Sequence, residues 1–305
     1  MPTGIITKGI GGFYYVSADE AIYECKARGI FRKNDVTPLP GDRVNFSVLD
    51  EEKKKGSLDE VLPRSSQLTR PAVANVNQVV LVIAARSPAP DLLLLDKLLV
   101  TAAKECIKPV ICLNKLDLDA DGGAEKIYGA YKNTGCDFLK TSTKTGQGLD
   151  ELEEKLKSMV TVFAGQSGVG KSTLLNAILR DMVMQTGDLS LKSDRGKHTT
   201  RHAELIPLVC GGYVADTPGF SSFELENLEL EELQQYYGEF AALTEGCRFA
   251  GCSHASEPGC GVKELVASGV IDSGRYGRYI ELLGYLKQLK DMKYKKSSKE
   301  KEKKK

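Results

Sequence analysis

Long apolar runs are missing from this chain. The longest, such as Val79 to Ala85 and Leu92 to Leu95, fall far short of the roughly 20 residues that span a bilayer, which excludes a membrane-spanning helical bundle. A secretory signal is missing too. The N-terminus, MPTGIITKGIGG, has no charged segment leading into an apolar core, so a cytoplasmic location is expected. Internal repeats are absent, which excludes solenoids and propellers. Overall charge is nearly absent as well, at +1.

What is present fits a soluble globular protein. The chain has 305 residues, 41% hydrophobic and 27% charged, enough for two or three domains of ordinary size. The small net charge hides an asymmetry. From Lys287 onward ten Lys face Asp291, Glu300 and Glu302, a net of +7, while the preceding 286 residues sum to −6. Such a tail is either a solubilising end or an arm that attracts phosphates. Of eight Cys, Cys25, Cys106, Cys112, Cys136 and Cys210 are scattered, mostly among apolar neighbours, and read as reduced core thiols.

Composition shifts divide the chain. Up to about residue 66, short apolar-aromatic runs such as Phe13 to Val16 and Val44 to Val48 alternate with turn signals. That pattern predicts a small β-barrel of the OB type, a common binder of single-stranded nucleic acid. Its aromatics serve either the core or base stacking. A polar connector spans 64–77. Beyond it, buried strands at Val79 to Ile83, Val110 to Leu113, Cys136 to Lys140, Met159 to Ala164, Ala203 to Leu208 and Tyr213 to Ala215 alternate with helices at Leu92 to Lys104, Leu149 to Lys157 and Lys171 to Arg180. Such alternation predicts an α/β domain with a largely parallel sheet. From about Glu229 the chain turns helical. The expected domains are an OB barrel over 1–66, a nucleotide-binding α/β domain over 67–225, a helical metal-binding domain over 226–294 and a disordered basic tail over 295–305.

Gly165-Gln166-Ser167-Gly168-Val169-Gly170-Lys171-Ser172 matches the GxxxxGK[ST] phosphate loop. It has a strand before it and a helix after it, as the motif requires. Glycines let backbone N–H groups wrap phosphates at a helix N-terminus. Lys171 is expected at the β- and γ-phosphates, Ser172 on Mg²⁺, and Thr173 beside them. Asp216-Thr217-Pro218-Gly219 follows the strand ending at Ala215. Asp216 there supports the Mg²⁺ shell, and the Gly219 N–H senses a γ-phosphate. Asn114-Lys115-Leu116-Asp117 closes another strand. A carboxylate at Asp117 accepts both donors on guanine's edge, which adenine lacks. Ser142-Thr143-Lys144 would close over the base. Between the phosphate loop and DTPG lies Arg195-Gly196-Lys197-His198-Thr199-Thr200-Arg201, polar and turn-rich like a switch loop. Thr199 or Thr200, preferably Thr200, would complete the Mg²⁺ shell.

Ordinary GTPases place the phosphate loop first; here NKLD and STK precede it. A circular permutation keeps such a fold when the old termini lie close together. With these motifs in this order, nearly the whole chain resembles the ribosome small-subunit-dependent GTPase family (RsgA, also called YjeQ or YloQ). The resemblance implies an OB domain, a permuted GTPase domain and a zinc-bearing C-terminal domain. It also implies GTP/GDP and Mg²⁺ as cofactors, GTPase activity stimulated by the small (30S) ribosomal subunit, and a role in that subunit's late maturation through its rRNA. Thr143 departs from the more usual Ala, and the longer basic N-terminal extension of some members is missing. No membrane contact is expected, and the expected state is a monomer.

Cys247-x4-Cys252-x-His254-x5-Cys260 supplies three thiolates and an imidazole, a closed tetrahedral set suited to one structural Zn²⁺; the resemblance assigns zinc to the same four residues. After DTPG many GTPases carry a Gln that orients water. Phe220 stands there instead, so hydrolysis is expected to need a partner, with His198 as the local candidate for placing the water. A solvent-facing or RNA-contacting role for His198 fits equally. Two other functions compete: a GTP-regulated binder of a different RNA, and a metabolic P-loop kinase, which the guanine motif disfavours.

Overall fold

The computed structural model describes residues 1–19, 21–29, 31, 36–69, 71–186, 203–216, 228–241 and 246–302. Strands β1 (Thr3–Ile10), β2 (Phe13–Ala18), β3 (Ala21–Ala27), β4 (Arg43–Asp50) and β5 (Lys55–Val61) close into a barrel in the order β1-β2-β3-β5-β4. Alternation along each strand turns Ile6, Val16, Tyr23, Cys25, Val44, Phe46 and Leu58 inward, the period-two pattern of a barrel wall. The aromatics divide: Tyr23 and Phe46 pack ring to ring in the core at 5.2 Å, while Phe13, Tyr14 and Tyr15 stay partly exposed.

The connector over 64–77 proves to be a folded joint. It forms a hairpin of β6 (Gln67–Thr69) and β7 (Ala72–Ala74). Leu68, Val73 and Val76 sink into the core of the next domain. Arg64 pairs with buried Asp42 of the barrel at 2.7 Å, and Asn75 Nδ2 donates to Gly41 O at 2.9 Å.

The central sheet runs β10-β9-β8-β11-β13-β12. Its strands are β8 (Gln78–Ala84), β9 (Lys108–Asn114), β10 (Asp137–Lys140), β11 (Met159–Ala164), β12 (Glu204–Pro207) and β13 (Gly212–Asp216). All pairings are parallel except β12 with β13. Helices α1 (Leu92–Lys104) and α2 (Gly123–Tyr131) cover one face; α3 (Leu149–Leu156) and α4 (Lys171–Thr186) cover the other. Every residue of β8 is buried, because a parallel strand between two helical layers meets no solvent. From β8 the chain steps out to β9 and β10, then lands β11 on the opposite flank of β8. That reversal opens a crevice at the carboxyl ends of the strands, the place where open α/β sheets bind ligands.

The C-terminal region packs a 3₁₀ helix (Leu230–Tyr236), α5 (Gly238–Ala241), α6 (Gly261–Ala267) and α7 (Ser273–Glu302). Leu233, Tyr237, Phe240, Tyr279 and Leu282 form its core, together with Val100 from α1. The tail expected to be disordered from 295 is helical through Glu302. Lys and Glu are strong helix formers, and no Gly or Pro follows Gly284 to break the helix. Among the described residues no helix is long and apolar enough to cross a membrane.

Candidate nucleotide site and metal centre

Three loops leave the carboxyl ends of β11, β9 and β10, and the structure brings them together. Gly165 to Gly170 joins β11 to α4. Gly165 sits at φ +137°, where a Cβ would lie 2.1 Å from Val82 O; Gly170 sits at φ +100°, where a Cβ would lie 2.5 Å from Asn114 Nδ2. Neither position admits a side chain, so these glycines let the loop hug the strand ends. Val169 is buried beneath the loop, whereas Ser167, Gly168, Ser172 and Thr173 face outward. Lys171 Nζ donates to Gly165 O at 2.7 Å and to Gln166 O at 2.8 Å. Burial holds its ammonium below the usual lysine range, because desolvation disfavours the charged form.

The Asn-Lys-Leu-Asp segment buttresses that loop. Asn114 is fully buried; its Nδ2 donates to Val169 O at 2.9 Å, and its Oδ1 accepts from Thr141 Oγ1 at 3.2 Å. Lys115, at φ +62°, sends Nζ to Gly168 O at 2.7 Å and also to Ser87 O. Asp117 is held by Ser142, whose Oγ donates to Oδ1 at 2.6 Å, and Lys144 Nζ lies 3.9 Å from Oδ2. Thr143, between them, is half-buried. Thr141 N in turn donates to Leu113 O at 2.8 Å, and Leu116 N to Thr141 O at 3.2 Å. Two loops that could enclose a base are thus tied to the loop that could cradle phosphates.

Asp216 ends β13 on the strand beside β11, whose Val162 pairs with Ala215. His198, Thr199, Thr200, Gly219 and Phe220 lie outside the described residues. Sequence reasoning missed Ser87 and Thr141. Both act through loop contacts that no motif encodes, although Ser87 follows the buried strand flanking the crevice.

The second cluster is Cys247, Cys252, His254 and Cys260, whose donor atoms all lie within 4.8 Å of one another; among the described residues it is the one such group. His254 Nδ1 stands 3.6 Å from Cys247 Sγ and 3.4 Å from Cys260 Sγ. A tetrahedron with bonds of about 2.0–2.3 Å has edges near 3.5 Å, so the spacing fits a metal of zinc's size. His254 is nearly fully buried, and burial lowers its pKa, keeping the ring neutral as a ligand must be. All eight Cys are free, and of the scattered five only Cys25 and Cys112 are fully buried; Cys106 is exposed.

Fold and loop order define the class: a circularly permuted P-loop GTPase domain between an OB-like barrel and a module with a ready set of metal donors. The RsgA GTPase family profile matches residues 61–226, and the RsgA N-terminal domain profile matches residues 3–57; the chain belongs to the RsgA GTPase family. It is 56% identical over 289 residues to the small ribosomal subunit biogenesis GTPase RsgA of Ruminiclostridium cellulolyticum, covering 94% of each chain. Among solved structures, YjeQ from Thermotoga maritima is similar at a TM-score of 0.80 and 37% identity, over 93% of this chain and 98% of that one. YloQ, described as a circularly permuted GTPase, is similar at 0.80 and 40%, over 94% and 96%.

Proposed function

We propose that this chain hydrolyses GTP to GDP and phosphate, binds the small (30S) ribosomal subunit through its rRNA and assists that subunit's late maturation. The observation that carries this reading is the junction of Asn114 and Lys115 with Val169 and Gly168. It fuses a base-reading loop to a phosphate loop in permuted order, in a chain whose relatives are named for small-subunit biogenesis. The protein works in the cytoplasm as a monomer.

In this reading GTP lies along the crevice. Asp117, already oriented by Ser142, accepts the two guanine donors, and Thr143 and Lys144 close over the ring. The amides of Gly165 to Gly170 surround the β-phosphate at the N-terminus of α4, with Gln166, Ser167 and Val169 shaping the turn. Lys171 exchanges the Gly165 and Gln166 carbonyls for β- and γ-phosphate oxygens. Ser172 and Thr200 would hold Mg²⁺, flanked by Thr173, Thr199 and Asp216; the ion supplies charge neutralisation on the phosphates. Gly219 senses the γ-phosphate. With Phe220 where a Gln commonly stands, His198 positions the attacking water in the complex with the subunit. Cys247, Cys252, His254 and Cys260 hold one structural Zn²⁺, which contributes folding free energy to a small module.

GTP turnover measured with and without purified small subunits tests the proposal. Stimulation by that subunit and not by other RNA particles is expected. An equal response to transfer or messenger RNA would move the protein to a different RNA, and equal competition by ATP would remove the guanine assignment.

A further inference from the structure

Three of the four metal donors, Cys252, His254 and Cys260, sit on one loop, Cys-Ser-His-Ala-Ser-Glu-Pro-Gly-Cys, which has no helix or strand to hold its shape. His254 within it lies at φ +57°, a left-handed conformation that a residue with a Cβ adopts only when its surroundings enforce it. The enforcing groups are visible. Glu257, itself no donor, turns its carboxylate back into the loop. Its Oε1 accepts from Ser253 N at 2.9 Å and from Ser253 Oγ at 2.7 Å. Its Oε2 accepts from Ala255 N and Ser256 N, both at 3.0 Å. The amides before and after His254 are therefore tied to one carboxylate.

The other side of the loop is held as well. Tyr276 Oη donates to His254 O and Tyr279 Oη to Ser253 O, both at 2.7 Å, and Lys263 Nζ donates to Glu257 O at 3.1 Å. Both tyrosines stand on α7, whose first turns also anchor the module to the nucleotide domain. A loop gripped through its peptide groups on both sides has its shape set by contacts outside the donor set.

We propose that Glu257 is a positioning residue for the metal centre, folding the Cys252–Cys260 loop into ligating geometry so that capture of the ion orders little further chain. The inference rests on the reading of the four donors as a zinc site. Outer partners that orient ligands typically change metal affinity by 10- to 100-fold. A carboxylate that organises the backbone carrying three ligands belongs in that range. Two features give it this capacity. It accepts four hydrogen bonds at once, which no neutral side chain does, and the Ser253 hydrogen bonds keep its carboxyl down at about 2.

The test uses the full-length zinc-loaded protein and a chromophoric chelator in excess, following zinc release. Glu257→Gln replaces one accepting oxygen with an NH₂ that faces two hydrogen-bond donors in either orientation. It should release zinc about 10- to 100-fold faster. Glu264→Gln, exposed on α6 and outside these contacts, should match the parent. Ser253→Ala removes one hydroxyl contact and should give a smaller acceleration in the same direction; it decides the matter if Glu257→Gln fails to fold. Cobalt(II) in place of zinc should show altered visible bands in Glu257→Gln, a change that a loss of general stability would not produce. Parent-like release and cobalt spectra in both variants would overturn the inference. Absence of zinc from the purified parent would overturn the zinc reading and the inference with it.

Discussion

Arg275 Nη1, on the C-terminal helix α7, lies 2.6 Å from Asp96 Oδ1, on helix α1 of the nucleotide domain, and both side chains are buried, at 3% and 0% exposure. Arg278 Nε donates to the other oxygen of Asp96 at 2.6 Å, and Tyr131 Oη donates to the first at 2.6 Å. Glu239 pairs with Arg275 from the side of α5. The guanidinium is sandwiched between the rings of Tyr131 and Tyr237, at 5.0 and 4.6 Å. Four charges thus cancel inside the interface. Because of the permuted order, the chain runs from DTPG directly into the C-terminal module, a covalent link between the two. The structure adds a second, non-covalent joint on α1.

That joint predicts the cost of breaking it. Removing one partner of a buried pair leaves the other charge without compensation, at about 3–5 kcal/mol. Asp96→Ala should therefore lower the unfolding free energy by that amount in urea titrations. Asp96→Ala with Arg278→Met should recover part of it, because Arg275 keeps its pair with Glu239 whereas Arg278 loses Asp96 as its carboxylate partner. A double variant no better than the single one would mean that the network does not act as a pair.

Lys171 makes the second prediction. Its amine is held by the Gly165 and Gln166 carbonyls, and the proposed function moves it to phosphate oxygens. Lys171→Ala should reduce GTP turnover by on the order of a hundred-fold or more, the scale seen when one charge-stabilising group is lost. Circular dichroism should remain that of the parent, since Lys171 supports no core packing. Undiminished turnover would remove the lysine from the site.

Asp117 and Asn114 separate base reading from loop support. If Asp117 reads guanine, Asp117→Asn, which replaces one carboxylate oxygen with an NH₂, should weaken GTP binding roughly 10- to 100-fold, the worth of a charged hydrogen bond, while narrowing the gap between GTP and ATP. Asn114→Ala removes the bond to Val169 O and leaves that carbonyl without its partner. It should weaken GTP, GDP and ATP alike, because the phosphate loop itself loosens. Competition titrations with a fluorescent nucleotide distinguish the two patterns. Selective loss of GTP in Asn114→Ala would contradict the buttressing role.

How much of this was legible in the sequence follows the range of each signal. The run Val79 to Ile83 announced a doubly buried strand because its apolarity is local and unbroken. The phosphate loop was readable because strand, glycines and helix are contiguous. The hairpin within 64–77 was not. Its buried residues are small or few, and their burial depends on docking against Asp42 and the central core. Asp96 and Arg275 lie 179 positions apart, and each alone reads as a surface charge. Glu257 carried no spacing signal, since its work is done with the backbone. The tail was misjudged because a run of Lys satisfies disorder by charge and helix by propensity, and only the continuity of α7 chooses.

His198 carries the last prediction, drawn from the residue that is not there. Phe220 follows DTPG, and an aromatic ring neither donates to nor accepts from an attacking water. A chain built this way needs its water placed from elsewhere, and His198 is the imidazole within Arg195 to Arg201, ahead of DTPG. If it positions that water, His198→Ala should lower the subunit-stimulated rate by roughly a hundred-fold, the low end for a positioned acid–base group. GTP affinity and the basal rate should hardly change, because in this reading His198 acts only in the complex with the subunit. His198→Gln, which keeps a hydrogen-bonding group at similar reach, should retain part of the stimulation. A stimulated rate unchanged in His198→Ala, with subunit binding intact, would assign water placement to the RNA partner instead.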